Sequence, residues 1–183
     1  LDTCAVSDAL DKLGLGGVVT GLQRLTGNRR IAGRAVTVKL GLGSPPPGPP
    51  RHLGTTAIEA SSPGDVIVVE QSSGVEAGSW GGILTLGAQL RGVAGVVADG
   101  PVRDIDEADG YGFPIWGRSC TSRTARNRIV ELATNVPVAI GGVAVHPGHY
   151  VLADRSAVIF IAPADIERVL AAAESIAARE AGI

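Results

Sequence analysis

The stretch from Trp80 to Asp104, WGGILTLGAQLRGVAGVVADGPVRD, decides how the rest of the chain is read. Trp80 to Leu90 reads as a helix and Gly92 stops it. Val93 to Ala98 is an apolar run without a polar break, which predicts a strand buried on both faces. Gly100 then opens a turn that delivers Arg103 and Asp104 side by side at the mouth of the strand. Helix, buried strand and turn in that order are the working unit of an α/β domain.

Outward from this unit the same grammar continues. Pro63-Gly64-Asp65 is a turn that launches a strand over Val66 to Glu70, preceded by a short helix around His52 to Ala60. Arg34 to Leu40 nearly alternates and reads as a strand. The segment GLGSPPPGPP (41–50) is a loop, because proline locks φ and lacks the backbone donor. Near the start, Val6, Ala9, Leu10 and Leu13 repeat at helical spacing, with Thr3 as the expected cap and Gly14 as the stop. Later strands are expected at Ile115–Gly117, Val136–Ile140, Val143–Val145, Tyr150–Ala153 and Val158–Ile161. Pro163 sits in the first turn of a last helix, where Asp165 and Glu167 favour its dipole. Helix–strand alternation followed by consecutive strands predicts an α/β domain with sheet-on-sheet character over residues 1–183.

Composition bounds the function. The chain has 183 residues, enough for one domain with a sizeable core, and 45% are apolar but only 3% aromatic, so Val, Ile, Leu and Ala must fill it. The formal charge of −2 and the dispersed basic residues argue against a direct nucleic-acid partner. Four arginines between Arg118 and Arg128 read as a solvated or subunit-facing segment. Cys4 and Cys120 match no metal spacing and fit a reduced, cytoplasmic protein. No apolar run approaches a bilayer span, and no signal peptide precedes the first helix. The lack of any methionine points to a chain trimmed at its start, and the end at Ile183 to a similar trimming.

The central unit carries chemistry. Gly92, Gly95 and Gly100 would let backbone amides approach a ligand. A helix starting near Trp80 would offer free N–H groups at Trp80, Gly81, Gly82 and Ile83 to a carboxylate or phosphate. Arg103 supplies a planar fork that matches a carboxylate. Asp104 is a hard oxygen donor of the kind Mg²⁺ prefers, and Mg²⁺ keeps several waters beside one or two carboxylates. The plain alternative is that Arg103 and Asp104 bridge each other or cap locally.

GVAGVVADGPVRD (92–104) resembles the signature of the regulator of ribonuclease activity A (RraA-like) family, which includes the class II pyruvate aldolases. VSDAL (6–10), SPGDVIVVE (62–70), NVPVAIGGVAVHPG (135–148) and ADRSAVIFIAPADIERVL (153–170) are similar to its other segments, in order. The resemblance implies a swivelling β/β/α domain and a homotrimer or hexamer with sites between subunits. It implies a lyase acting on a 2-oxo acid such as 4-hydroxy-4-methyl-2-oxoglutarate, through a pyruvate enolate, with oxaloacetate decarboxylation as a side activity. Arg103 would bind the pyruvyl carboxylate and carbonyl, Asp104 would ligate Mg²⁺ or Mn²⁺, and Gly81, Gly82, Ile83 and Leu84 would hold substrate through backbone amides.

One departure bears on turnover. The aldolases resemble a pattern of Asp or Glu, twenty intervening residues, then Arg-Asp, and the acidic position here is Gly82. That carboxylate orients the water serving as general base, a role glycine cannot fill. Glu76 and, from a neighbouring subunit, Glu180 are candidate replacements. His149 stands for the aspartate of a second PGD-like turn, and Arg155-Ser156 replace a more acidic, glycine-rich pair. His52, His146 and His149 have no metal-ligand spacing. Two other functions stay open: a binding protein that restrains ribonuclease E, and a scaffold with altered 2-oxo acid chemistry.

Overall fold

The computed structural model describes residues 1–182 and is built around one strand that serves two sheets at once. In chain order the elements are α1 (Thr3–Leu13), β1 (Val18–Val19), β2 (Gln23–Thr26), β3 (Ile31–Gly41), α2 (Thr55–Ala60), β4 (Val66–Gln71), α3 (Gly82–Leu90), β5 (Gly95–Val102), α4 (Ile105–Gly110) and β6 (Ile115–Cys120). They continue with β7 (Val130–Thr134), β8 (Val138–Ile140), β9 (Val143–Val145), β10 (Tyr150–Ala153), β11 (Val158–Ile161) and α5 (Ile166–Glu180). Ile183, where a trimmed end was expected, lies outside the described residues.

The main sheet runs β1-β11-β10-β3-β4-β5-β6-β2, with β7 also paired to β3. Ile31 to Arg34 of β3 pair antiparallel with β10, whereas Ala35 to Leu40 pair parallel with β4. Strands β3 to β6 form a parallel core, as helical crossovers require, and β8–β9 is a separate hairpin.

Alternation along the buried strands sorts the core into layers. In β4, Ile67 and Val69 join Ala57, Leu84 and Ala88 from the helices on one face. Val66 and Val68 point the other way, against Ile140, Val145, Val151 and Val158. Beyond β11, Ile159 and Ile161 meet Val6, Leu10 and Val169 of α1 and α5. Each fully buried valine or isoleucine contributes about 1.5–3 kcal/mol, which is how a chain poor in aromatics builds its interior. Its two tryptophans are buried with their N–H groups satisfied, Trp80 on Thr85 Oγ1 at 3.1 Å and Trp116 on the Asp154 carbonyl at 2.7 Å. The result is the mixed α/β, β/β/α layering expected from the sequence.

Several boundaries move. Asp2, not Thr3, caps α1, accepting from the Ala5 amide at 2.9 Å. Thr3 instead donates its hydroxyl and its amide to Asp154, at 2.6 and 2.9 Å, tying the first helix to the β10–β11 turn. Helix α3 begins at Gly82 and not near Trp80, because Trp80 is drawn into a parallel bridge with Val102. Strand β5 runs on through Gly100 to Val102 where a turn was expected. Strands β1, β2 and β7 and helix α4 were not anticipated.

Candidate functional site

Ser79 and Trp80 zip alongside the end of β5, and this pairing builds the site. Ser79 donates its amide to the Pro101 carbonyl at 2.8 Å and its hydroxyl to the same oxygen at 2.6 Å. Arg103 donates its amide to the Trp80 carbonyl at 3.0 Å. The Arg103 stem then lies across two glycines. A Cβ at Gly78 would stand 2.9 Å from Arg103 Cγ and Cδ, and one at Gly81 would stand 3.0 Å from Cγ. Real Cβ atoms essentially never come closer than 3.0 Å, and a Cβ at Gly81 would also stand 2.9 Å from Asp104 Oδ2, so Gly78 and Gly81 are the bed on which the Arg103 stem and the Asp104 carboxylate are laid.

Asp104 turns the chain with φ 57° and ψ 43°, a left-handed conformation in which Asp is among the few tolerated side chains. Its carboxylate does not cap α4, the helix it precedes. Oδ2 instead accepts from the Gly82 amide, the first of α3, at 2.9 Å. Oδ1 accepts from Arg103 Nε at 3.2 Å. The two residues therefore do bridge locally, yet each keeps capacity. The terminal guanidinium nitrogens have no protein partner among the described residues, and each Asp104 oxygen retains a lone pair.

The expected anion cradle needs correction at one amide. The Gly82 N–H is already taken by Asp104, so it is not free for a ligand. Ile83 projects its side chain to solvent at 72% exposure, whereas the Leu84 side chain is packed inside. Gly92, Gly95 and Gly100 also serve packing. Gly92 turns with φ 79° under Pro63, Gly95 faces the Pro114 carbonyl and Ile31, and Gly100 lies on Gln71.

Arg103, Asp104 and Glu107 line two adjoining depressions, a cleft of about 1460 Å³ and a shallower one of about 660 Å³. The larger is walled by the proline loop at 45–50, by α3 and by Arg126 and Glu131, so the loop that could not be regular structure shapes the site. The smaller reaches Cys120 and Thr121. Of the arginine-rich segment, Arg118 pairs with Asp99 at 2.6 Å and Arg123 with Glu76 at 3.8 Å. Glu76 also accepts from Thr121 Oγ1 at 3.1 Å and lines neither depression. Within the chain Glu180, in the last turn of α5, lines neither.

Glu107 is the acidic residue that sequence reasoning passed over. It sits on α4, a six-residue helix with no apolar period to announce it. The available signal was Asp104-x-x-Glu107, the spacing of a capping box that marks a helix start. Tyr111 donates its hydroxyl to Glu107 Oε1 at 3.1 Å. That hydrogen bond, followed by slight burial and the glutamate charge, raises the Tyr111 phenol above its ordinary range and keeps it a donor.

The donor set suits a hard divalent cation held mainly by water. Among the described residues no three His, Cys, Asp or Glu side chains converge into a protein-only cage. Asp104 is an oxygen donor at the cleft wall with a second carboxylate nearby, the arrangement Mg²⁺ accepts when it retains most of its hydration. The His146 and His149 rings lie against each other, 5.3 Å between centroids and 37° between planes. No helix among the described residues is long and apolar enough to cross a membrane.

Comparison with known proteins bears on the family and the fold. A family model described as Aldolase/RraA matches residues 3–160. A protein of Halalkalibacterium halodurans named "Putative 4-hydroxy-4-methyl-2-oxoglutarate aldolase" is 32% identical over 171 residues, covering 93% of this chain and 77% of its own length. Among solved structures, an uncharacterized protein from Pseudomonas syringae pv. tomato superposes with a TM-score of 0.86 at 30% identity, over 98% of this chain and 84% of that one. RraAS2 of Streptomyces coelicolor, an unusual member of the RNase ES inhibitor RraA protein family, superposes with a TM-score of 0.83 at 27% identity, over 100% and 91%. Fold and sequence thus converge, and the chain belongs to the RraA-like family.

Proposed function

We propose that this protein is a divalent-metal-dependent carbon–carbon lyase acting on 2-oxo acids, with 4-hydroxy-4-methyl-2-oxoglutarate or a close analogue as substrate and oxaloacetate decarboxylation as a related activity. The observation that carries the reading is the Arg103–Asp104 corner, a cation and an anion fixed on a glycine bed at the wall of a cleft large enough for a small dicarboxylate.

Arg103 binds the carboxylate of the pyruvyl half through its two free terminal nitrogens, a bidentate match of planar groups. Asp104 would hold Mg²⁺ or Mn²⁺, which when bound supplies Lewis acidity toward the negative charge that develops on the pyruvyl oxygens. The Gly81 and Ile83 amides and the Leu84 backbone lie beside this corner at the start of α3, where the helix dipole favours anions. Cleavage requires loss of the substrate hydroxyl proton. The carbon–carbon electron pair then stays on the pyruvyl methylene as an enolate, which Arg103 holds until the carbon is reprotonated. Oxaloacetate reaches the same enolate by losing carbon dioxide, without hydroxyl deprotonation.

The exposed side chains of Ile83, Leu86 and Leu90 form an apolar stripe on α3 at the cleft rim. We take this stripe as the subunit contact of a homotrimer or hexamer, to be checked by light scattering after gel filtration.

The test is pyruvate release from both substrates with and without Mg²⁺ or Mn²⁺, beside Asp104→Ala. Metal-dependent release lost in the variant is the expected result. Release from neither substrate would overturn the reading. The likeness to RraAS2 favours a second function, restraint of a ribonuclease, and retention of purified ribonuclease E on the immobilised protein would support it.

A further inference from the structure

Position 82 lacks the acid that family resemblance calls for, and the space that acid would use is not empty. A Cβ built on Gly82 would collide with the Glu107 carboxylate, closest to Oε2, with Cδ at 2.6 Å and Oε1 at 3.0 Å. An aspartate carboxyl carbon lies one carbon–carbon bond beyond Cβ, about 1.5 Å. The Glu107 carboxyl therefore occupies nearly the volume that the carboxyl of an aspartate at position 82 would fill, reached from α4 and not from α3. Backbone conformation does not explain the glycine, because Gly82 is absent from the positive-φ positions. Gly82 leaves room for the Glu107 headgroup, the far end of a flexible side chain, which an acid at position 82 would have to displace.

We propose that Glu107 supplies the carboxylate missing from position 82. The inference rests on the metal-site reading above. Glu107 is a positioning residue: its carboxylate orients the water that takes the substrate hydroxyl proton and later returns it to the enolate carbon, so no proton is gained or lost over the cycle. Tyr111 fixes the headgroup by donating to Oε1 and leaves Oε2, the oxygen nearest Gly82, to accept from that water. Asp104 and Glu107 stand one helical turn apart across the start of α4 and line both depressions, so the second carboxylate reaches the hydration shell of a cation held by the first.

The experiment titrates Mn²⁺ into the full protein and reads free Mn²⁺ by paramagnetic resonance, with pyruvate release from 4-hydroxy-4-methyl-2-oxoglutarate followed in parallel. Loss of an outer-shell partner costs about 10–100-fold in metal affinity or activity, so Glu107→Gln is expected to lose that much in both. Removing the glutamate clears the space for an acid on α3. The double variant Glu107→Ala with Gly82→Asp, or with Gly82→Glu if the first is unfolded by circular dichroism, should recover both readouts relative to Glu107→Ala alone. Wild-type Mn²⁺ affinity in Glu107→Gln would overturn this inference while leaving the Arg103–Asp104 site standing. Failure of a folded double variant to recover would overturn the equivalence of the two positions. If the unaltered protein and Asp104→Ala both fail to bind Mn²⁺, the metal site and this inference fall together.

Discussion

Asp104 is asked to do two things, and substitution can separate them. Its left-handed backbone costs a residue with a Cβ about 1–2 kcal/mol, a cost that Asp and Asn offset and glycine avoids. Its Oδ2 accepts the first amide of α3, worth about 0.5–2 kcal/mol at a helix start. Asp104→Asn keeps an acceptor and the tolerated conformation, so its stability should stay within about 1 kcal/mol of the parent. Asp104→Gly loses the acceptor alone. Asp104→Ala loses the acceptor and adds strain, placing it about 1 kcal/mol below the glycine variant and about 2–3 kcal/mol below the parent. All three lack the carboxylate, so Mn²⁺ affinity should fall at least about tenfold in each. Urea unfolding at pH ~7 gives the stability order, and Mn²⁺ titration gives the ligand effect. An alanine variant as stable as the glycine variant would refute the strain argument. Mn²⁺ affinity that follows the stability ranking, with the asparagine variant binding normally, would refute the ligand role.

Three further outcomes test the surroundings. Burial pushes the Asp154 carboxyl up, but hydrogen bonds from the Thr3 hydroxyl and amide and from the Ser156 and Ala157 amides prevail and hold it below its ordinary 3.8. Its stabilisation is therefore complete above pH 3.8 and lost as pH falls through the folded value. Asp154→Asn should cost about 2 kcal/mol at pH ~7 in urea unfolding, with the gap narrowing in acid; an equal gap at both pH values would contradict this. Burial, then the charge of His146, lowers His149 below 6.5, so its contribution is present above pH 6.5 and lost on acidification; an NMR midpoint at or above 6.5 would show the environment is misread. Gly95→Ala places a Cβ 2.8 Å from the Pro114 carbonyl and from Ile31, and should cost about 1–3 kcal/mol in thermal or urea unfolding. A neutral result there would mean that the β5–β6 spacing yields more easily than the geometry implies.

Where apolar patterning is strong, the sequence was enough. Val66 to Glu70, Val143–Val145, Tyr150–Ala153 and Val158–Ile161 fall where alternation and flanking turns put them. The missed strands are those whose pattern is weak: Gln23–Thr26 presents mostly exposed or half-buried residues, and all five residues of β7 are half-buried. Gly100 was read as opening a turn, yet β5 continues through it to Val102, with a register irregularity between Ala98 and Pro101 of the kind at which a strand accepts proline. Arg103 and Asp104 stood out in the sequence because an adjacent cation and anion after a glycine is a specific pairing, and the structure puts both at the cleft wall. Glu107 did not stand out, because its one local signal, Asp104-x-x-Glu107, marks a helix start and does not say that its headgroup lies over Gly82 of another helix. The same holds for Gly78 and Gly81, whose purpose appears only once the Arg103 stem lies across them.

Strand β3 carries a last consequence. Its first half belongs to the antiparallel side of the molecule and its second half to the parallel core, with no turn between Arg34 and Ala35. Neither half can release its hydrogen bonds without stripping an edge from the other. Partial opening is thus confined to the periphery, to β1, β2 and the β8–β9 hairpin, while the middle opens only with the whole. Amides of Ala35 to Leu40 that pair with β4 and β7 should exchange with solvent at the rate of global unfolding. A protein cut anywhere in β3 would yield two fragments that each lack a sheet edge, neither of them a smaller domain.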